Sequence, residues 1–555
     1  IHKAVNRCRT EVDRRRGRVT TMGTTTKVEN IATDLAWRAE TVPNRTGVTY
    51  EDGRSLTYRQ WEDGARRAAG VLSGLGVQPG DRIALYLQNS LELSVLLFGC
   101  WKIGAVPVTM SVMYNSEELK SSLEKANPVA LVTHGSKMQT IDALPSSEWS
   151  KRVLITKEPN GEQVVVSVGD GRLTFEDAVM STEPVQSVCQ PSEDDEGTIL
   201  FTGGTTGPPK AVAVTHQGTR NSLRTLARVS KKGEEGPYEI APDSASPNLL
   251  ALPLFHSGGQ QALLFALHVG RSIVIMERFR VGTLDRLVDK YQIDNLFLMP
   301  TMLYDIVHAK QRVGLSSLRS VLIAGQALDP TLKQEFESGW GVPILSNYGS
   351  TEIGHVAGWT SKDLKLGRWK AGPVGRIYDG VEVEIRNDEG DVQPLGCPGE
   401  IWVKDGNTKG YVDGSGVSGD SLVVNGWVAS GDVGFIEGDN YLHLVGRKRD
   451  MIKTGGFQVW PQEIEQVLRK HPLVSDVAVV GISDARLGEI PAAFVVPTSE
   501  VNQSEMEGVL VEYCREQLSH FKCIRHVELI DVIPRSEAGK VQRGELMAMA
   551  QMLSK

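Results

Sequence analysis

Between residues 202 and 210 the chain reads Thr202-Gly203-Gly204-Thr205-Thr206-Gly207-Pro208-Pro209-Lys210, where hydroxyls, bare backbone and one cation converge. Glycines let amide groups approach oxyanions closely, and threonines with a lysine supply neutral and charged donors. The run therefore suits an oligophosphate, with Thr202, Gly204, Thr205, Thr206, Gly207 and Lys210 as the binding set, although taken alone it is also compatible with an ordinary glycine-rich hairpin. It is not a Walker A loop, because Lys210 follows Pro209 and enters a strand-like segment, 211–214, instead of a helix. A second glycine run, Gly414-Ser415-Gly416-Val417-Ser418-Gly419, has the spacing of a dinucleotide fingerprint but no strand–helix unit around it, and is read as a loop.

The elements around these residues alternate strand and helix. Thr57 and Gln60 form a capping box that opens a helix, Gly76 can end it, and Pro79-Gly80-Asp81 turns into a strand at 83–87. Helix 91–102, strand 105–108, helix 116–125 and strand 129–132 follow at the spacing of βα units. Strands at 272–276, 295–298 and 320–323 repeat the rhythm, so two α/β halves are expected. After about Gly375, segments 381–385 and 399–403 read as antiparallel strands among glycine turns, a small β subdomain. Beyond Arg449 come helix 461–470 with Pro461 at its first position, strands 474–480 and 492–496, helix 505–518 with a Ser504–Glu507 capping box, strand 526–530 and a short helix 541–546.

Composition bounds the class. The chain has 555 residues, 40% hydrophobic and 23% charged, enough apolar material for several buried cores. A net charge of -8 gives no general attraction to a nucleic-acid backbone, so no nucleic-acid partner is expected. Six scattered cysteines without metal-type spacing point to a reducing cytoplasm. The most apolar stretch, 91–110, is broken by Glu92, Lys102, Gly99, Gly104 and Pro107, so it reads as core and no transmembrane segment is expected. Residues 1–21, with Arg14, Arg15, Arg16 and Arg18 and no apolar run, read as a disordered basic tail, with Met22 as the natural start.

Five segments in order carry a family resemblance: the threonine–glycine loop, Asn347-Tyr348-Gly349-Ser350-Thr351-Glu352, Ser430-Gly431-Asp432, Gly446-Arg447-Lys448-Arg449-Asp450, and Pro534-Arg535-Ser536-Glu537-Ala538-Gly539-Lys540. From about Thr24 onward the chain resembles the adenylate-forming superfamily, which contains acyl-CoA synthetases, firefly-type luciferases and peptide-synthetase adenylation domains. Two departures stand out: Gly203 occupies a usual serine position and Ala211 a usual glycine position.

The resemblance implies an α/β protein with a large N-terminal domain, 22–448, of two α/β halves and a β subdomain, and a small mobile α+β lid, 449–555. It implies ATP, Mg²⁺ and coenzyme A with a small-molecule carboxylic acid. Carboxylate attack on an α-phosphate meets charge repulsion, so cations must hold the reactants. By motif match Lys540 bridges acid and α-phosphate, Glu352 is the magnesium ligand, and Thr351 and Lys453 complete the catalytic set. Tyr348 is placed against adenine, with Gly325-Gln326-Ala327 opposite and Asn347 and Gly349 beside it. Asp432 accepts from the ribose, with Arg447 near, Arg449 is the hinge, and Gly455 and Gly456 pass the pantetheine arm. His256, Ser257, Gly258 and Gly259 are assigned to the acid, and the glycines suggest a roomy pocket for a fatty or ring-bearing acid. Peptide-synthetase relatives carry aspartate where His256 follows Phe255, so amino-acid activation is disfavoured. The alternatives are a free-standing enzyme that loads a carrier protein, and a catalytically silent binding homologue. The few residues after Lys540 leave no expectation of a fused carrier domain.

Overall fold

The computed structural model describes residues 30–162, 172–192, 194–202, 209–230, 241–242, 244–326, 328–412, 422–499, 502–535 and 539–553. The basic tail and the 414–419 run lie outside them. Three sheets organise the described residues.

The first, of eight strands, runs inward from the edge strand Arg172–Thr174 through Val153–Thr156, Ala130–His134, Arg82–Tyr86 and Val106–Thr109, all parallel. The second has fourteen strands. Its parallel part runs through Ile273–Ile275, Asn248–Leu250, Asn295–Leu298, Ser320–Ala324 and Ile344–Ser350. Residues of both sheets share one core: Ile83, Leu85 and Val132 of the first, and Val48, Leu250 and Ile273 of the second. Helices Tyr58–Gly74, Leu91–Lys102 and Ser257–His268 contribute to the same cluster, where Phe98 meets Trp61 and Trp101 edge-on at 5.2 and 5.1 Å. Asn89 ties the halves together: its amide donates to the Leu252 and Met276 carbonyls and its oxygen accepts from the Leu254 amide.

Local chemistry explains the helix ends. Thr57 and Gln60 form the expected reciprocal cap, and Ser90 accepts from the Leu93 amide to start the helix at Leu91. The C-terminal helix differs from its expected start. It spans Gln503–Gln517 and is capped by Asn502, whose side chain accepts from the Ser504 amide, so Ser504 lies inside the helix and is not its cap. The last helix is also later and longer than expected, Arg543–Leu553.

The expected β subdomain is a continuation, not a separate sheet. Strand Gly354–Trp359 turns back antiparallel beside Ile344–Ser350, and Gly375–Ile377, Tyr441–Arg447, Trp427–Glu437, Gly399–Lys404 and Val383–Arg386 extend the second sheet from there. One strand leaves it: Thr408–Tyr411 crosses to the edge of the first sheet and pairs with Lys210–Thr215. The second sheet ends at Arg447, a single turn follows at Lys448–Asp450, and the third sheet begins at Ile452. That sheet, centred on Val474–Asp484 and Gly488–Pro497, has its own core of Ile452, Ile464, Val477, Val495 and Leu510.

Candidate active site

Strands Glu196–Thr202 and Lys210–Thr215 form an antiparallel hairpin with Thr202 opposite Lys210, and the Thr202 hydroxyl donates to the Lys210 carbonyl at 3.5 Å. The hairpin therefore ends at the threonine–glycine loop. Gly204, Thr205, Thr206 and Gly207 lie outside the described residues. On the exit side, Lys125 donates to the Pro209 carbonyl at 2.8 Å, and the Lys210 ammonium sits 4.6 Å over the Tyr411 ring.

The second group stands at the C-terminal ends of the parallel strands of the second sheet, where open α/β sheets place ligands. Tyr348 donates to Asp432 Oδ2 at 2.9 Å, and Arg447 Nε lies 3.2 Å from Asp432 Oδ1. Strand register makes that ion pair, since Asp432 and Arg447 face each other across an antiparallel pair. Burial lifts the Asp432 carboxyl above its ordinary range although Arg447 and Tyr348 oppose it, and burial with Asp432 lifts the Tyr348 phenol further. Glu352 is held by its neighbour: Ser350 Oγ donates to Glu352 Oε2 at 2.7 Å. Thr351 is buried and donates to Ser257 Oγ at 3.1 Å, which joins the 347–352 segment to the start of helix Ser257–His268. Asn347 is already engaged, its oxygen lying 3.2 Å from His355 Nδ1 and accepting from the Tyr378 hydroxyl at 3.1 Å. Gly325 and Gln326 follow strand Ser320–Ala324, and Ala327 lies outside the described residues.

Lys540 comes to this group from the C-terminal unit. Gly539 has φ +70°, and a Cβ there would lie 2.3 Å from Thr301 Cγ2 and 2.9 Å from Gln326 Nε2, so only glycine lets this loop approach so closely. Burial and Arg447 push the Lys540 ammonium below its ordinary pKa against the pull of Glu352 and Asp432. Lys453 is not in this group. It is exposed on the hairpin of Ile452–Thr454 and Phe457–Val459, where Gly455 and Gly456, at φ +56° and +86°, make the two-residue turn, and its amide donates to Glu489 Oε2. Arg449 lies in the connecting turn with its Nε 3.7 Å from Asp450 Oδ1, and Asp450 Oδ2 lies 3.6 Å from Arg543 Nη1.

The glycines behind His256 correct the roomy-pocket expectation. A Cβ on Gly259 would stand 2.0 Å from the Pro253 carbonyl oxygen, and one on Gly349 1.9 Å from that of Gly354. Both positions serve close backbone packing. Gly258 has Leu252 Cδ1 at 3.2 Å and Phe297 Cε1 at 3.7 Å from the same virtual atom, and Gly325 has Met299 Cε at 3.3 Å, so neither faces open space. Residues that sequence reasoning missed are Ser350, which orients Glu352, Thr301, against which Gly539 docks, and Tyr411. Thr301 had a signal in Pro300 at a helix start, whereas Tyr411 is joined to the site only by long-range pairing.

His256 caps helix Ser257–His268, its Nδ1 accepting from the Gly258 amide, and burial together with Lys540 pushes it down to about 4. Burial first, then Arg220, takes His216 to about 4, and burial does the same to His355. The unfolded chain returns all three to ~6.5 and so binds more protons between these values. Stability should therefore fall as pH drops from ~6.5 toward about 4. Urea midpoints across that window should decrease steadily, and His355→Gln should flatten the slope; a midpoint that ignores pH would contradict this.

The AMP-binding enzyme family model matches residues 35–412, and that of the AMP-binding enzyme C-terminal domain matches 463–540. The 4-coumarate-CoA ligase 1 of Narcissus pseudonarcissus is 30% identical over 511 residues, 89% of each chain. The peroxisomal OPC-8:0-CoA ligase 1 of Arabidopsis thaliana is 28% identical over 518 residues, 91% of this chain and 90% of that one. The structure of o-succinylbenzoate coenzyme A synthetase from Bacillus subtilis in complex with ATP and magnesium ion matches with a TM-score of 0.76 at 25% identity, over 92% of this chain and 98% of that one. The chain belongs to the AMP-binding enzyme family, the adenylate-forming superfamily that its motifs resemble, and falls among its acyl-CoA synthetases.

Proposed function

We propose that the protein joins a carboxylic acid to coenzyme A in two steps at this site. In the first, a carboxylate oxygen attacks the α-phosphorus of ATP and pyrophosphate leaves. In the second, the thiol sulfur attacks the acyl carbon, the thiol proton is lost, and AMP leaves. The observation that carries this reading is the convergence of Lys540, from the C-terminal unit, with Glu352, Asp432 and Arg447 of the larger one beside His256. A half-buried lysine among two carboxylates and two arginines has the charge to hold two anionic reactants together.

Asp432, partly paired with Arg447 and Tyr348, keeps acceptor capacity on both oxygens for the ribose diol. His256, neutral above about 4, can stand beside a substrate carboxylate as a hydrogen-bonding wall while Lys540 carries the positive charge. Mg²⁺ fits the donor set: among the described residues no three His, Cys, Asp or Glu gather to cage a metal, and one carboxylate, Glu352, suits an ion that takes its other ligands from phosphates and water. That ion would supply charge neutralisation at the phosphates. Gly455, Gly456 and Lys453 serve the thiol step, which requires the C-terminal unit to turn about Arg449.

Coenzyme A is favoured over a carrier protein because the curated relatives above are named as CoA ligases. Cys100, Cys189, Cys397, Cys514 and Cys523 are all unpaired, which supports a reducing compartment such as the cytoplasm. No helix among the described residues is long and apolar enough to cross a membrane. The relative named for 4-coumarate puts aromatic acids first in the test, followed by fatty and alicyclic ones. Incubation with ATP, coenzyme A and each acid should release AMP with at least one of them. Release of ADP instead, or no nucleotide release with any, would reject the reading.

A further inference from the structure

We propose that Tyr411 is a positioning residue for the oligophosphate: its ring seats the Lys210 ammonium and its hydroxyl faces Glu352, which keeps the loop's cation and the metal-binding carboxylate apart until a nucleotide enters. The inference rests on the AMP-forming reading above and adds a residue to it.

The placement comes from one short segment. The Asn407 amide donates to the Glu352 carbonyl at 2.8 Å, and the Asn407 carbonyl accepts from the Thr215 amide at 2.9 Å. From there the chain crosses between sheets and pairs Tyr411 with Val212, with a bulge after Thr408. The Thr408 hydroxyl bonds the Ala213 carbonyl at 2.5 Å, and Val412 donates to the Ala211 carbonyl at 2.9 Å, so both ends of the strand are pinned to Lys210–Thr215. The Tyr411 ring packs on the cluster of Leu200, Val212 and Val214, and Lys210 Nζ lies over it at 4.6 Å. One segment thus touches the backbone of Glu352 at one end and the side chain of Lys210 at the other.

Chemistry gives this arrangement a purpose. Lys210 is exposed, and in an empty site an exposed ammonium near a carboxylate tends to pair with it. An aromatic face is a comparable partner for a cation but bears no charge, so phosphate oxygens displace it readily with stronger, charge-assisted bonds. The Tyr411 hydroxyl is in hydrogen-bond reach of the Glu352 side chain and can donate its proton toward that carboxylate.

The test compares ATP with AMP, which shares the adenine and ribose contacts but lacks the outer phosphates. Tyr411→Leu should weaken ATP binding by about tenfold in calorimetry while leaving AMP affinity unchanged. Tyr411→Phe keeps the ring and should retain metal-free ATP affinity but lose part of the gain that Mg²⁺ brings. Lys210→Met should reproduce the selective ATP loss, and the double variant with Tyr411→Leu should lose no more than the worse single one. An equal loss for AMP and ATP would make Tyr411 merely structural, and full additivity or no loss would show that the ring does not act through Lys210; each overturns the proposal while the AMP-forming reading stands. A wild-type protein that binds neither nucleotide would overturn that reading and the proposal with it.

Discussion

Lys540→Ala should lose acid-dependent ATP–pyrophosphate exchange by ~10²-fold or more, the scale expected for deleting a transition-state cation, while still converting supplied acyl-adenylate and coenzyme A to the thioester. The reason is charge. Only the first step brings an anionic acid against an anionic phosphate, and in this structure Lys540 is the lysine that the C-terminal unit delivers to Glu352, Asp432 and Arg447. Lys540 is half-buried, so its charge acts with less screening than a surface lysine's. The loop is held in place by Gly539 against Thr301 and Gln326, so the alanine substitution next to it should not disturb the docking. Full exchange by the variant would show that Lys540 is not the bridging cation.

Lys453→Ala should do the reverse: exchange near the wild-type level, thioester formation from supplied adenylate reduced by ~10-fold or more. In the described arrangement Lys453 is exposed on its hairpin and takes no part in the cluster around Lys540. On the proposed two-step reading it reaches the reacting atoms after the C-terminal unit turns about the Lys448–Asp450 segment, which bears just one turn of structure between the two sheets. Equal failure of both variants in both assays would mean that a single orientation serves both steps.

Much of the local fold was legible because the signals were local. Helix Leu91–Lys102 and strand Asn295–Leu298 lie where their patterns place them, and Thr57 and Pro461 begin their helices as capping rules require. The sheet to which a strand belongs was not legible. Nothing in 399–403 says that it continues the sheet begun far earlier in the chain, and nothing in Thr408–Tyr411 says that it crosses to the other one. Such pairings depend on where whole elements pack, and periodicity carries no record of that. The same limit governed the site. Acidic and basic members carried a motif signature, and Asp432, Arg447, Glu352 and Lys540 do converge. The glycines misled, since a bare backbone signals close approach without saying whether a ligand or another strand is what approaches, and at Gly259 and Gly349 it is the chain itself. Tyr411 bore no chemical signature at all.

The measurement that bears most directly on the central claim follows oxygen. An acid that supports AMP release is supplied with both carboxylate oxygens isotopically heavy, together with unlabelled ATP and coenzyme A, and the nucleotide products are weighed. If the carboxylate attacks the α-phosphorus, the P–O bond it forms survives thioester formation and the AMP released carries one heavy oxygen. Heavy oxygen in pyrophosphate or inorganic phosphate, or in no phosphate product, would contradict the account.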